Sequence, residues 1–355
     1  MGGEADILSV FLVQAEACEK LGSPFTGMVC RLLARLLRSE SEIGRIVFGW
    51  QGNPAPGADS VPLRLCGALN HLVITGADGA LGRLYPPASE TPEEAALAHE
   101  IERVLEEHAG HVAQFLKSAP QTNEVRRSVA LLPGWLWLAA HYGKPLAISE
   151  VGASAGLNLF SERYLLKTET FLRGKADSSV ILPTSWRGDV PPDTAIEVAD
   201  RAGCDLAPID PADRNARERL ISYVWPDQRD RVERISAAIE TAMASGAKSP
   251  VEKADAADWL ERRLRRDFDG AVHVVQHTIA WQYFPEAVKA RGEAALAQAG
   301  ARATNDRPLA RLMLEADGNS PGAAISLTLW PGGETHALGR ADYHGQWIEW
   351  RNPAV

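Results

Sequence analysis

The sequence predicts an α/β fold: a mostly parallel sheet ending in an antiparallel hairpin, preceded by a mainly helical region. Three observations carry this prediction. From about residue 121 to about residue 316, short apolar strands alternate with helical segments, the order that builds a parallel sheet with helices on both faces. Residues 324–330 and 336–350 each alternate apolar and polar positions around Pro331-Gly332-Gly333, the pattern of a terminal hairpin. Residues 1 to about 120 instead carry apolar residues at helical spacing.

Taken in order, residues 7–37 place Val10, Phe11, Val13, Val29, Leu32, Leu33, Leu36 and Leu37 on helical faces. A Gly/Pro-rich loop at 52–62 precedes a helical or mixed segment at 63–75. The loop 76–93 closes on Thr91-Pro92-Glu93-Glu94, which predicts a helix with Thr91 as its cap, running through Ile101, Val104 and Leu105. Gln121-Thr122-Asn123-Glu124 opens a helix reaching about His141, and strands are predicted at 146–151, 195–204, 250–254, 271–276 and 309–314. The stretch 167–193, rich in Gly, Pro, Ser and Thr, reads as an insertion. These elements divide the chain into a helical region, 1–120, and an α/β domain, 121–355.

Composition narrows the function. At roughly 100–200 residues per domain, 355 residues suggest two domains, or one large domain with an appendage. Lys and Arg number 37 against 46 Asp and Glu, so the formal charge is 37 − 46 = −9, which argues against a nucleic-acid partner. Cys18, Cys30, Cys66 and Cys204 lie far apart with no C-x-x-C pair, which excludes a zinc ribbon and a disulfide scaffold and predicts reduced thiols. The most apolar stretch, 129–140, contains Pro133 and is too short to span a bilayer. Met1-Gly2-Gly3-Glu4 lacks the basic and apolar regions of a secretory signal, so a cytoplasmic protein with no membrane partner is expected. His108 and His111 have no evident third ligand, and 261–267 reads as an exposed mixed-charge helix end. No metal is expected.

The strongest local signal is Leu146-Ala-Ile-Ser-Glu150-Val-Gly152-Ala-Ser154-Ala-Gly156-Leu-Asn158: a strand, a small-residue turn and a helix start. Such a turn lets backbone approach a ligand closely and offers free N–H groups; it can equally be a tight connection with no ligand. Gly152-x-Ser154-x-Gly156 also has the form of a hydrolase nucleophile elbow, with Ser154 as nucleophile, Asp255 or Asp317 as orienter and His336 or His344 as base. The helical upstream region and the terminal hairpin do not suit that fold. A nicotinamide fingerprint would need a third glycine, which this turn lacks.

Glu150-x-Gly152-x-x-x-Gly156-x-Asn158 resembles the first motif of class I S-adenosylmethionine-dependent methyltransferases, with Ser154 in place of the middle glycine. The resemblance implies a Rossmann-like domain over about 121–355, with Glu150 orienting the turn and the methionine part of the cofactor. Arg201-Ala-Gly203-Cys-Asp205 resembles the second-strand motif and implies that Asp205, or else Asp210, takes the ribose hydroxyls, since a carboxylate accepts two hydrogen bonds at once. Asp255, in the third-strand segment, would meet the adenine amino group. His277, at the fourth-strand position, would be a general base, with Tyr283 beside it and Trp281 flooring the substrate pocket, though core packing explains both aromatics equally well. The final hairpin would supply the sixth and seventh strands, the latter antiparallel. The implied reaction is methyl transfer to an oxygen or nitrogen of a small molecule. Gln121-Thr-Asn123-Glu124-Val-x-Arg127, followed by the glycine turn, also resembles an uncharacterised bacterial family; it points to Gln121, Asn123, Glu124 and Arg127 as cleft residues. Capping by Thr122 or Asn123 is the plainer reading. A non-catalytic cofactor-binding or regulatory module remains the alternative outside enzymes.

Overall fold

The structure, a computed structural model, describes residues 4–246 and 249–354. These form two units, Met1–Thr122 with Asp213–Ser236, and Asn123–Ala212 with Ala237–Val355.

The first unit is helical. Apolar residues of helix Pro24–Leu36, namely Phe25, Val29, Leu32 and Leu33, recur at helical spacing and bury one face. They join Phe11 of helix Glu4–Lys20, Leu65 and Leu69 of helix Val61–Ile74, and Leu97 and Ile101 of helix Glu94–Glu107 in one core. Helix Arg214–Ser222 belongs to this unit; Asp213 starts it by accepting the N–H groups of Asn215 and Ala216. The helix expected to be capped by Thr91 begins later, at Glu94. The chain is still extended at Glu93 (ψ 125°), so Thr91 lies too far ahead to cap it. His108 contacts Asp78 at 3.1 Å and His111 contacts the Ala68 carbonyl at 3.2 Å. No group of three metal-ligating side chains forms among the described residues.

The second unit is built on a nine-stranded sheet. Its strands are β1 (Leu146–Val151), β5 (Ser185–Gly188), β6 (Val198–Asp205), β7 (Val251–Lys253), β8 (Val272–Thr278), β9 (Leu309–Glu315), β10 (Ala323–Trp330), β11 (Glu334–Ala341) and β12 (Trp347–Trp350). The order is β5-β12-β11-β10-β9-β8-β1-β6-β7, with β7 to β9 all parallel. Strands β1 and β8 are buried along their whole length, as strands covered on both faces must be. Residues β2 (Leu165–Lys167), β3 (Leu172–Gly174) and β4 (Ile181–Pro183) form a separate small sheet, ordered β3-β2-β4.

Two sequence expectations change here. The penultimate segment, β10, is the one antiparallel to β9, and the expected last strand is two, β11 and β12, each antiparallel to its neighbour. The reason is local: only residues 316–322 connect β9 to β10, too few for a parallel crossover, and the turn 342–346 divides the expected last strand. The charged run 261–267 is not wholly exposed either. Arg263 is buried, pairs with Asp200 and donates to Ser149 Oγ at 2.8 Å, while that hydroxyl donates to His273 Nε2 at 2.8 Å. Burial lowers His273 to about 3, so its ring is neutral and free to accept.

Helices cover both faces. Val275 packs with Trp259, Leu260 and Leu296 from helices Ala256–Arg263 and Glu286–Gly300. Its neighbour Gln276 points to the opposite face, where Trp135 of helix Ser128–Tyr142 donates from Nε1 to Gln276 Oε1 at 2.9 Å. No helix among the described residues is long and apolar enough to cross a membrane.

Replacing Trp135 with Phe keeps the ring but strips Gln276 of its donor in a fully buried setting. An unsatisfied buried amide costs about 1–3 kcal/mol, so Trp135→Phe is expected to lose that much in urea denaturation followed by circular dichroism. A loss below about 0.5 kcal/mol would show that the bond contributes little.

Candidate functional site

From β1 the chain moves to β6 and β7 on one side, then returns to β8 and β9 on the other. This reversal makes the carboxyl ends of β1 and β8 the topological switch point of the sheet, the place where open parallel sheets bind ligands. The glycine turn lies there. Gly152 (φ +68°), Ser154 (φ +55°) and Gly156 (φ +71°) are all left-handed, so the chain reverses within a few residues of the strand end. A Cβ on Gly152 would stand 2.6 Å from the Ala280 methyl, and one on Gly156 would stand 2.6 Å from Val251 Cγ2.

Side chains from distant segments hold this turn. Asp205, at the end of β6, accepts the Ser154 N–H at 2.9 Å on one oxygen and the Ala207 N–H at 2.9 Å on the other. Asn123 Oδ1 accepts the Leu157 N–H at 2.9 Å. Asn158 accepts from Ser128 Oγ at 2.8 Å and donates to the Glu124 carbonyl at 3.4 Å. The capping expected of Thr122 or Asn123 is therefore corrected: Asn123 serves the glycine turn. The Glu124 carboxylate caps the short turn Val125–Arg127 by accepting the Arg126 N–H. Arg127 donates to the carbonyls of Thr278 and Tyr343, at 3.2 and 3.1 Å. Gln121 belongs to the helical unit.

A further left-handed residue, Ile279 (φ +49°), follows β8. A β-branched residue in that region is strained and persists only where its surroundings hold it. Glu315, at the end of β9, does so: its carboxylate accepts the N–H groups of Ala280 at 3.0 Å, Trp281 at 3.1 Å and Gln282 at 3.4 Å. It also takes the Nδ1–H of His277 at 2.8 Å, while Arg311 Nε donates to His277 Nε2 at 3.1 Å. Trp281 stacks on the same ring, with centroids 5.0 Å apart. Both nitrogens of the fully buried His277 are thus engaged, and burial lowers its proton affinity. With Nε2 accepting from Arg311, His277 braces the strand end, and the base expected at this position would have to part from Arg311 to take a substrate proton. Sequence reasoning missed Glu315, although an acid one residue past a predicted strand was a visible signal.

Glu150 contrasts with Glu315. It is 2% exposed, and its Oε2 has no hydrogen-bonding partner. Ser154 Oγ and Gln276 Nε2 are likewise buried without partners, and Gln276 stands directly beside Glu150 in the register of β1 and β8. Burial raises the Glu150 carboxyl to about 8; the Gln276 amide opposes that rise, the Asp205 charge adds to it and Arg127 counters it. Of the remaining sequence-derived candidates, Asp210 accepts the Ala212 N–H at 2.9 Å. Asp255 caps helix Ala256–Arg263 through one oxygen. Tyr283 is 63% exposed on the short turn Trp281–Tyr283.

The hydrolase constellation is not assembled. No imidazole reaches Ser154 Oγ, and His336 stands on β11, four strand spacings or about 19 Å from β1. Asp317 is held instead by Arg340, at 2.8 and 3.0 Å.

Residues 9–350 match the model of a family described as "uncharacterized protein conserved in bacteria" (DUF2332). No curated protein and no solved structure matches the chain.

Two outcomes follow from the geometry. Gly152→Ala meets both a positive φ and the Ala280 methyl, so a destabilisation of about 1–3 kcal/mol is expected in chemical denaturation; an unchanged midpoint would mean that the turn relaxes freely. Glu150 keeps in the folded state a proton that the unfolded chain releases above about pH 4.3. Its contribution to stability is therefore fully present below that pH and declines as pH rises toward about 8. Glu150→Gln should remove this decline, gaining on the parent protein between pH 5 and pH 8.5. Parallel stability curves for the two proteins would contradict the buried, protonated carboxyl.

Proposed function

The chain belongs to the DUF2332 family, and we propose that its sheet unit binds S-adenosylmethionine at the carboxyl end of β1 and methylates an oxygen or nitrogen of a small molecule. One observation carries this reading. Three buried polar atoms without a protein partner, Glu150 Oε2, Ser154 Oγ and Gln276 Nε2, occupy neighbouring positions at the reversal point between β1 and β8. Buried groups of this kind are normally satisfied, and a polar ligand at the switch point would satisfy them.

The residues present fit that cofactor. Glu150 would face its cationic amino acid part. A positive charge there favours the carboxylate, so a group raised to about 8 would give up its proton on binding. Asp205 fixes the turn through both carboxylate oxygens and stands at the end of β6, where the ribose hydroxyls of the cofactor would lie. Asp255 caps its helix with one oxygen, leaving the second for an adenine amino group. When bound, the sulfonium supplies an already activated methyl group, so the protein's part is positioning and the exclusion of water. With His277 engaged, the exposed phenol of Tyr283 is the candidate to meet the acceptor.

Calorimetric titration with S-adenosylmethionine and S-adenosylhomocysteine, run in buffers of different ionisation enthalpy, tests the reading. Binding with proton release near pH 7 is expected, with the release lost in Glu150→Gln. Asp205→Ala should weaken binding about tenfold or more, as loss of charge-assisted hydrogen bonds does, and Gly152→Arg should abolish it. Absence of heat from either compound with folded protein would overturn the proposal. Binding without turnover across acceptors would leave a cofactor-binding regulatory module, and labelling of Ser154 by a fluorophosphonate would favour the hydrolase.

A further inference from the structure

Three of the four cysteines, separated in sequence, meet inside the helical unit. Cys18 stands on helix Glu4–Lys20, Cys30 on helix Pro24–Leu36 and Cys66 on helix Val61–Ile74. Cys30 Sγ lies 3.6 Å from Cys66 Sγ, and Cys30 and Cys18 are near enough to act on each other electrostatically. Cys18 Sγ in turn accepts from Gln14 Nε2 at 3.4 Å. The sulfurs therefore form a row, buried at Cys18 and Cys30 and half-buried at Cys66. A single buried cysteine is ordinarily a small hydrophobe. Three in contact, with one end reaching the surface, allow a chemistry that none has alone. Since no metal-holding group of three forms among the described residues, that chemistry lies between the sulfurs themselves.

We propose that Cys66 and Cys30 are a site of oxidation by hydroperoxides, forming a disulfide that ties helix Pro24–Leu36 to helix Val61–Ile74, with Cys18 as the thiol to which the bond can pass. Cys66 starts the reaction because only it is open to a reagent. Its thiolate attacks one peroxide oxygen; the S–O bond forms, the O–O bond breaks, and the departing alkoxide takes a proton and leaves as an alcohol. The Cys66 sulfenic acid then meets Cys30. The Cys30 sulfur attacks the Cys66 sulfur, the S–S bond forms and the S–O bond breaks, and the hydroxide leaves as water with the Cys30 proton. The two thiols together lose two electrons and the peroxide gains them. Cys66 and burial hold that proton on Cys30, although the Cys18 contact favours its thiolate. Closing the bond requires the sulfurs to move from 3.6 Å to about 2.05 Å. If Cys18 then attacks Cys30, a Cys18–Cys30 disulfide forms and Cys66 returns as a thiol carrying the Cys18 proton.

The test is intact-mass and peptide mapping of the full chain after treatment with tert-butyl hydroperoxide. The expected result is a loss of two hydrogens, a Cys30–Cys66 crosslinked peptide, reversal by dithiothreitol and an increase in Tm of the oxidised form, with Cys204 on β6 still a thiol. Cys30→Ala should leave Cys66 as a sulfenic acid that dimedone traps, and Cys66→Ser should leave Cys18 and Cys30 unmodified. Failure of those variants to fold would not rescue the proposal, because the parent protein alone decides it. Four free thiols after treatment, a Cys66 oxidised without a crosslink, or a crosslink only between molecules would each overturn it.

Discussion

Three left-handed residues, Gly152, Ser154 and Gly156, shape everything at the carboxyl end of the sheet. The chain must leave a fully buried strand and reverse at once, and each backbone N–H in that reversal needs an acceptor inside the protein. Asp205 and Asn123 provide acceptors for Ser154 and Leu157. The polar run that opens at Gln121 and the glycine turn, some thirty residues apart, are therefore linked by a physical requirement: the run supplies what the turn's backbone lacks. Ser154 accepts left-handed strain that costs about 1–3 kcal/mol and is tolerated only while those bonds hold it.

The end of β8 solves the same problem with different groups. Ile279 takes the strain and Glu315 collects the backbone donors that follow it. The two corners touch where Gly152 faces Ala280, so neither can move far without the other. Two buried glutamates then end with opposite character. Burial pushes both carboxyls up, but the His277 N–H and the loop N–H groups hold Glu315 below its usual range, while Glu150 stays raised at about 8. A satisfied acid braces the loop; the other keeps a buried oxygen that no protein group meets.

The helical unit shows how far packing regroups what the chain separates. Cysteines at positions 18, 30 and 66 are far apart along the sequence, yet the helices carrying them bring their sulfurs into contact. Arg263 reverses its expected exposure for a similar reason. Asp200 and Ser149, from other elements, supply the partners that let a guanidinium be buried.

The sequence by itself determined the fold class and most of the sheet. Strand β1 was legible residue for residue, and β8 and β9 nearly so, because strands covered on both faces read as short, mainly apolar runs even where a few polar residues interrupt them. The hairpin was legible from alternation, because β10 buries one face only. The edge strand β5 and the small sheet β3-β2-β4 were not, since three or four residues carry no measurable period. At the site, Glu150, Asp205 and the glycines could be read from their places in a motif. The fate of His277 could not, because it depends on Arg311 and Glu315 from the neighbouring strand. Periodicity records how one element meets its own surroundings. Which lone pair is already occupied, and which buried atom is left without a partner, is decided only when distant strands pair.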